Sequence, residues 1–167
     1  VEACFTRLGN ASLREVWDTE SGGSFTEFGT YSLLPVVKLL GTESREAFYW
    51  SLPARTGVDA YTKATISYDS AIATAKTGIG VKSEGQLVIA GSNGYLLVPS
   101  PWWLTKRVEV HYEDPNCVEV YEYPFEGSGL RYEITSFAKK VLALDEMLGR
   151  FPGDEEKMDT IWSHLLQ

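Results

Sequence analysis

Glu27 and Tyr31 stand four residues apart in a stretch whose apolar residues recur near every 3.6 positions, so their side chains share one helix face. A carboxylate beside a phenol can orient a substrate hydroxyl and exchange a proton with it. Gly22 and Gly23 precede the helix. Paired glycines let a ligand approach the free N–H groups of a helix N-terminus, which attract anions and hydroxyls. Gly29 lies inside the helix at a cost of ~1 kcal/mol relative to Ala, which requires something packed tightly on that turn. The same pair also fits a plain amphipathic helix with an exposed carboxylate and a half-buried tyrosine. Arg14 and Trp17, in the polar loop ahead of the glycines, are candidates for lining a substrate pocket.

Other chemistries lack their residues. There is no G-x-G-x-x-G opening a helix after a strand and no G-x-x-x-x-G-K-[ST]. Gly78-Ile79-Gly80 lies in a strand pattern and reads as a bulge or a close backbone approach. His111 and His164 have no second ligand at metal spacing. The expectation is therefore no cofactor-binding residue and no metal ligand in this chain. Fifteen Lys+Arg against 23 Asp+Glu give a net charge of −8. Phosphate backbones and anionic membrane surfaces need clustered cations, and the densest cluster is Lys139-Lys140, so neither is an expected partner. No run approaches the ~20 apolar residues of a membrane span. Cys4 and Cys117 sit among strand-like apolar residues and read as two reduced core thiols of a cytoplasmic protein, with a disulfide between them left open.

The elements that must position these side chains follow from periodicity. Residues 1–8 read as a strand, and residues 25–40 as a helix stopped by Gly41, with Pro35 expected to kink it or remove one backbone bond. From 45 to 123 the period is two, with strands over 47–52, 60–68, 71–77, 86–90, 95–98, 106–112 and 117–123. Turn residues separate them, and Asn93-Gly94 is a tight-hairpin signal. Connections this short join antiparallel neighbours. Trp102-Trp103, flanked by Pro99 and Pro101, reads as an anchor on the core or a subunit interface. Tyr112, Tyr121 and Tyr123 read as one sheet face buried in a dimer. Helices are expected over 136–148 and from Asp154 to the end, the last with Met158, Ile161, Trp162 and Leu165 on its apolar face. The fold class is α+β: a two-layer domain with a mostly antiparallel sheet, helices on one face and an open face for subunit packing. All 167 residues read as one domain.

Read in order, Gly22-Gly23…Glu27…Gly29…Tyr31 and then Leu39-Leu40-Gly41 resemble the C-terminal domain signature of the Gfo/Idh/MocA oxidoreductases. Gly57-Val58-Asp59, Tyr68-Asp69-Ser70, Ile89 to Leu96, Val98 to Trp103 and Gly129-Leu130-Arg131-Tyr132-Glu133 follow in family order. The resemblance implies a substrate-binding and oligomerisation domain, with Tyr31 exchanging a proton with the substrate hydroxyl as hydride moves to or from nicotinamide. Glu27 matches the acidic position, normally Asp, that orients substrate, and Gly23, Arg14 and Trp17 complete the expected substrate site. It implies NAD or NADP held mainly by an N-terminal Rossmann domain, whose Gly-rich loop and Glu-Lys-Pro segment this chain does not contain. The start at Val1 is then expected to mark a fragment cut before the second domain. Expected partners are that Rossmann domain, a sugar, cyclitol or polyol substrate, and further copies forming a homodimer or tetramer through the open face. Glu27 in place of Asp keeps an alternative open: a non-catalytic scaffold that uses the same sheet to dimerise.

Overall fold

β-branched and aromatic residues alternating between turn signals form the strands where the period of two places them. The computed structural model describes residues 1–8, 14–124, 127 and 129–147. Its strands are β1 (Glu2–Thr6), β2 (Glu46–Pro53), β3 (Asp59–Ser67), β4 (Ile72–Gly78), β5 (Leu87–Gly91), β6 (Gly94–Val98), β7 (Arg107–Tyr112) and β8 (Val118–Glu122). They form one sheet in the order β2-β3-β4-β1-β5-β6-β7-β8. Each sequential pair is antiparallel, but β1 inserts between the halves of the meander, parallel to β4 and antiparallel to β5. Two units divide the chain, Val1–Tyr123 and Pro124–Gln167. The first holds the sheet and the helix α1 (Ser24–Leu40), and the second holds the helix α2 (Leu130–Met147).

Helix α1 lies on β1, β3 and β4, and small residues let it do so closely. Register puts Ala3, Phe5, Thr62, Ala64, Ala75 and Thr77 on the face beneath it. Ser24, Gly29, Ser32 and Val36 are its buried residues, and the Ser32 hydroxyl donates to the Lys76 carbonyl at 3.0 Å. The helix runs through Pro35 without a break, although that residue offers no N–H to the Tyr31 carbonyl. On the opposite face, residues 79–86 turn back over β1. There Ser83 bonds the Thr6 hydroxyl through its N–H, and its own hydroxyl lies 2.8 Å from the Cys4 sulfur. Along β2 this face is uncovered, leaving Phe48, Trp50 and Leu52 exposed.

Several expectations need correction. Cys117 is not a core thiol: it is free and exposed, because β8 is an edge strand whose every residue is exposed, whereas Cys4 is buried. The tight hairpin signalled by Asn93-Gly94 does form between β5 and β6, with Ser92-Asn93 as its turn residues and Gly91 opposite Gly94. Both turn residues have negative φ, so the glycine serves the strand, where Gly94 at φ +147 lets the His111 carbonyl come close. Helix α2 begins six residues before the expected 136, directly after Gly129 at φ +88. The helix expected from Asp154 lies outside the described residues.

Candidate functional site

The polar loop ends in a short 3-10 turn, Arg14–Trp17, whose carbonyls receive the glycine pair: Gly22 N–H donates to Asp18 and Gly23 N–H to Val16. A Cβ on Gly22 would meet the carbonyl oxygens of Val16, Glu15 and Asp18 at 2.5–2.7 Å. Gly23 sits at φ +112, ψ 155, open to glycine alone, and a Cβ there would run into Asp59 Oδ1. The close approach that these glycines permit is thus made by the chain itself. Asp59, at the start of β3, accepts hydrogen bonds on Oδ2 from the Ser24 hydroxyl (2.5 Å), the Phe25 N–H (3.0 Å) and the Thr62 hydroxyl (2.6 Å). It caps α1 from 35 residues away in sequence.

Above this cap, Glu27 and Tyr31 follow one turn apart on α1, Glu27 exposed and Tyr31 47% exposed. The Tyr31 ring stacks on buried Phe5 at 4.5 Å and 25°. Phe5 also meets Phe28 at 4.7 Å and Trp103 at 4.1 Å, so one β1 side chain forms the bed for three rings. Trp103 is held by Trp102, which is 8% exposed and donates its indole N–H to the Cys4 carbonyl at 2.8 Å. The tryptophan pair is therefore a core anchor, as its flanking prolines indicate. Trp17 and Phe28 both pack against Val16, Val58 and Ile79, which links Trp17 to Tyr31 through Phe28 and Phe5. Arg14 begins the turn that Trp17 ends, and its side chain lies outside the described residues. The neighbour required by Gly29 is the Phe25 ring, 3.2 Å from where a Cβ would stand. Gly80 likewise approaches Ala60, a Cβ there standing 3.0 Å from the alanine methyl, which matches the close-approach reading of Gly78-Ile79-Gly80.

Sequence reasoning passed over Asp59 and Phe5. Asp is depleted in strands, so an Asp opening a strand was the available signal for a cap. Phe5 carried no signal beyond alternation with Ala3. A dinucleotide pyrophosphate needs free N–H groups at a glycine-rich helix start. In α1 the Phe25 N–H is already bonded to Asp59, and that carboxylate would repel phosphate, so this helix does not fit a dinucleotide.

Further groups lie away from Tyr31. On the uncovered face, Glu109 bonds Arg107 at 2.7 Å and His111 at 2.8 Å, which hold its carboxyl below the usual range. The His111 ring stacks on Tyr95 at 4.6 Å. Tyr112 and Tyr121 share the two oxygens of Glu119 at 3.0 and 2.5 Å. Register puts this cluster on the side of the sheet that carries α1, opposite Glu109 and His111, and Tyr121 is exposed there. Among the described residues there is no cluster of three metal-ligating side chains, and no helix is long and apolar enough to cross a membrane.

The fold is similar to part of several solved oxidoreductase structures. KijD10 from Actinomadura kijaniata, a 3-ketoreductase solved with NADP and TDP-benzene, is similar at a TM-score of 0.68 and 18% identity, over 85% of this chain and 45% of that one. UDP-N-acetylglucosamine 3-dehydrogenase GnnA from Acidithiobacillus ferrooxidans is similar at 0.64 and 14%, over 85% and 44%. An NAD-binding oxidoreductase from Klebsiella pneumoniae follows at 0.55 and 15%, over 72% and 38%. The chain spans less than half the length of each of these structures. No family model and no curated protein matches it.

Proposed function

We propose that this chain is the substrate-side domain of an NAD(P)-dependent oxidoreductase acting on a sugar, cyclitol or related polyol. The observation that carries this reading is Tyr31, a half-exposed phenol fixed on Phe5 one helical turn from exposed Glu27. In this reading the Tyr31 hydroxyl gives a proton to, or takes one from, the substrate oxygen at the carbon being reduced or oxidised. Glu27 accepts a hydrogen bond from a neighbouring substrate hydroxyl, and Trp17, Arg14 and Gly23 are the further substrate-site residues that the family resemblance implies. In this reading the dinucleotide is held by another domain, and the Asp59 carboxylate at the start of α1, which would repel a phosphate there, supports it. The NADP and nucleotide-sugar chemistry of the similar structures supports the class of reaction.

The test uses the complete natural protein and a panel of sugars, cyclitols and polyols. Tyr31→Phe is expected to lower kcat by about 100-fold or more, the contribution of one general acid or base. Unchanged turnover with every active substrate would remove Tyr31 from the reaction. The uncovered face of β2, with Trp50 68% exposed beside Phe48 and Leu52, supports pairing of copies into a homodimer or tetramer through that face. Trp50→Glu should then shift the mass measured by sedimentation to that of the monomer.

A further inference from the structure

We propose that Asp59 is a positioning residue of this site, a clamp that fixes the first turn of α1 on the sheet and through it the place of Glu27 and Tyr31. The inference rests on the reaction proposed above, but its structural half is testable alone. Three donors converge on Asp59 Oδ2, and they come from the two elements that must be joined: Ser24 and Phe25 from α1, Thr62 from β3. The Ser24 hydroxyl is wholly buried and gives its one hydrogen to Asp59, so the Thr77 hydroxyl, 2.9 Å away, must donate to Ser24. By the same count the Ser51 hydroxyl donates to Thr62 across 2.7 Å. The result is a directed chain of hydroxyls from β2 and β4 that ends on one carboxylate. A carboxylate oxygen holds these donors more strongly than an uncharged amide oxygen would, because its hydrogen bonds are charge-assisted.

The glycine pair belongs to this device. Gly23 leaves the space that the second carboxylate oxygen occupies, and Gly22 lets the preceding turn fold back without displacing it. At the positive end of α1 the Phe25 N–H is thereby satisfied inside the protein, by a carboxylate that already carries negative charge. The substrate is then bound over the Glu27–Tyr31 face by hydroxyl and ring contacts, and an anionic group is not drawn to the end of the helix.

Chemical rescue tests the clamp in the complete natural protein. Asp59→Ala removes the carboxylate and leaves its space, which formate can refill. The expected result is a fall in kcat of about 10- to 100-fold with KM little changed, since a displaced catalytic group costs that much. Exchange of the Phe25 amide hydrogen should quicken about 10- to 100-fold while global unfolding remains rare. Formate, and not formamide, should reverse both effects. In a Tyr31→Phe background Asp59→Ala should cost clearly less than it does beside Tyr31, the remainder being what the clamp does through Glu27. If the alanine variant does not fold, Asp59→Asn keeps the volume and should give the same losses in smaller measure. Unchanged Phe25 exchange, or an equal loss of kcat with and without the Tyr31 hydroxyl, overturns the proposal. A Tyr31→Phe protein of full activity would instead overturn the proposed reaction, while the exchange and rescue measurements still decide the clamp.

Discussion

Trp102→Phe should destabilise the protein far more than the same change at its neighbour, Trp103→Phe. Strand β1 pairs with β5 only at Glu2 and Ala3, so beyond Ala3 that edge of β1 has no strand beside it. The Cys4 carbonyl on this edge accepts the Trp102 indole N–H instead, at 2.8 Å and buried. Phenylalanine cannot supply that donor. A buried carbonyl left unsatisfied costs about 1–3 kcal/mol. Losing about 40 Å² of buried ring at about 25 cal/mol per Å² adds about 1 kcal/mol. The sum is about 2–4 kcal/mol.

Trp103 is held by ring contacts, to Phe5 at 4.1 Å and edge-on to Trp102 at 6.3 Å, and phenylalanine keeps most of them. Its replacement should cost less than about 1.5 kcal/mol. Urea unfolding followed by far-ultraviolet circular dichroism separates the two. With a slope near about 2 kcal/mol per molar, Trp102→Phe should lower the midpoint by about 1–2 M and Trp103→Phe by less than about 0.8 M. Equal shifts would mean that the indole bond does not stand in for the missing strand, and that Trp102 contributes by bulk alone. Trp102 also carries Trp103 onto Phe5, so the larger loss should be accompanied by weaker ordering of the Tyr31 ring.

Gly23→Ala should cost about 2–5 kcal/mol, about 1–3 for the backbone conformation and the rest for the displaced cap. Gly57→Ala, at φ +96 with open space around it, should cost only the first part, and thermal melting compares them. The Glu84 carboxylate is lowered below its ordinary 4.5 by its bond to Lys76. Burial pulls Lys76 down, but the Glu84 bond and nearby negative charge outweigh it and leave the amine above 10.5. The pair's stabilisation is thus present above the ordinary Glu value and fades as pH falls through the lowered one. It is also present below 10.5 and fades as pH rises through the raised Lys value. Glu84→Gln should remove about 0.2–1 kcal/mol near neutral pH and nothing at strongly acidic pH, as read from denaturation midpoints across pH. Glu119 holds the Tyr112 and Tyr121 phenols above 10.0 through its hydrogen bonds, and Glu119→Gln should bring both down in an ultraviolet absorbance titration.

The strands were legible because each is bounded by turn residues and built on a period of two, and α1 because its apolar spacing ends at a glycine. The position of β1 was not. A strand inserted parallel to β4 depends on α1 crossing the sheet, and the small residues that allow it, Ser24, Gly29 and Ser32 on the helix and Ala3, Ala75 and Thr77 beneath it, carry no periodic signature of contact. Cys117 was misjudged for a related reason: apolar neighbours mark a strand, but only topology says which strand is the edge. At the candidate site, Glu27 and Tyr31 were placed correctly on one helix face. Their support was hidden, since Phe5 and Asp59 come from strands 22 residues before and 32 residues after Glu27.

Gly23 and Gly29 look like defects at the start and in the body of a helix, yet each has a local reason that leaves the exposed side of α1 free. Gly23 admits Asp59, Gly29 admits the Phe25 ring, and Pro35 follows one turn after Tyr31 on a helix that stays unbroken. The stability of α1 therefore resides in its buried side, and Glu27 on the exposed side contributes little to it. Glu27→Asp should change the unfolding free energy by less than about 0.5 kcal/mol, as for other exposed substitutions. It moves the carboxylate back by one methylene, to the side-chain length that the resembled family normally carries. A change in KM or in substrate preference of the complete protein would then report the reach of the carboxylate alone. Identical kinetics for the Glu and Asp forms with every active substrate would show that Glu27 does not touch the substrate, and would leave Tyr31 as the only reacting side chain proposed on this helix.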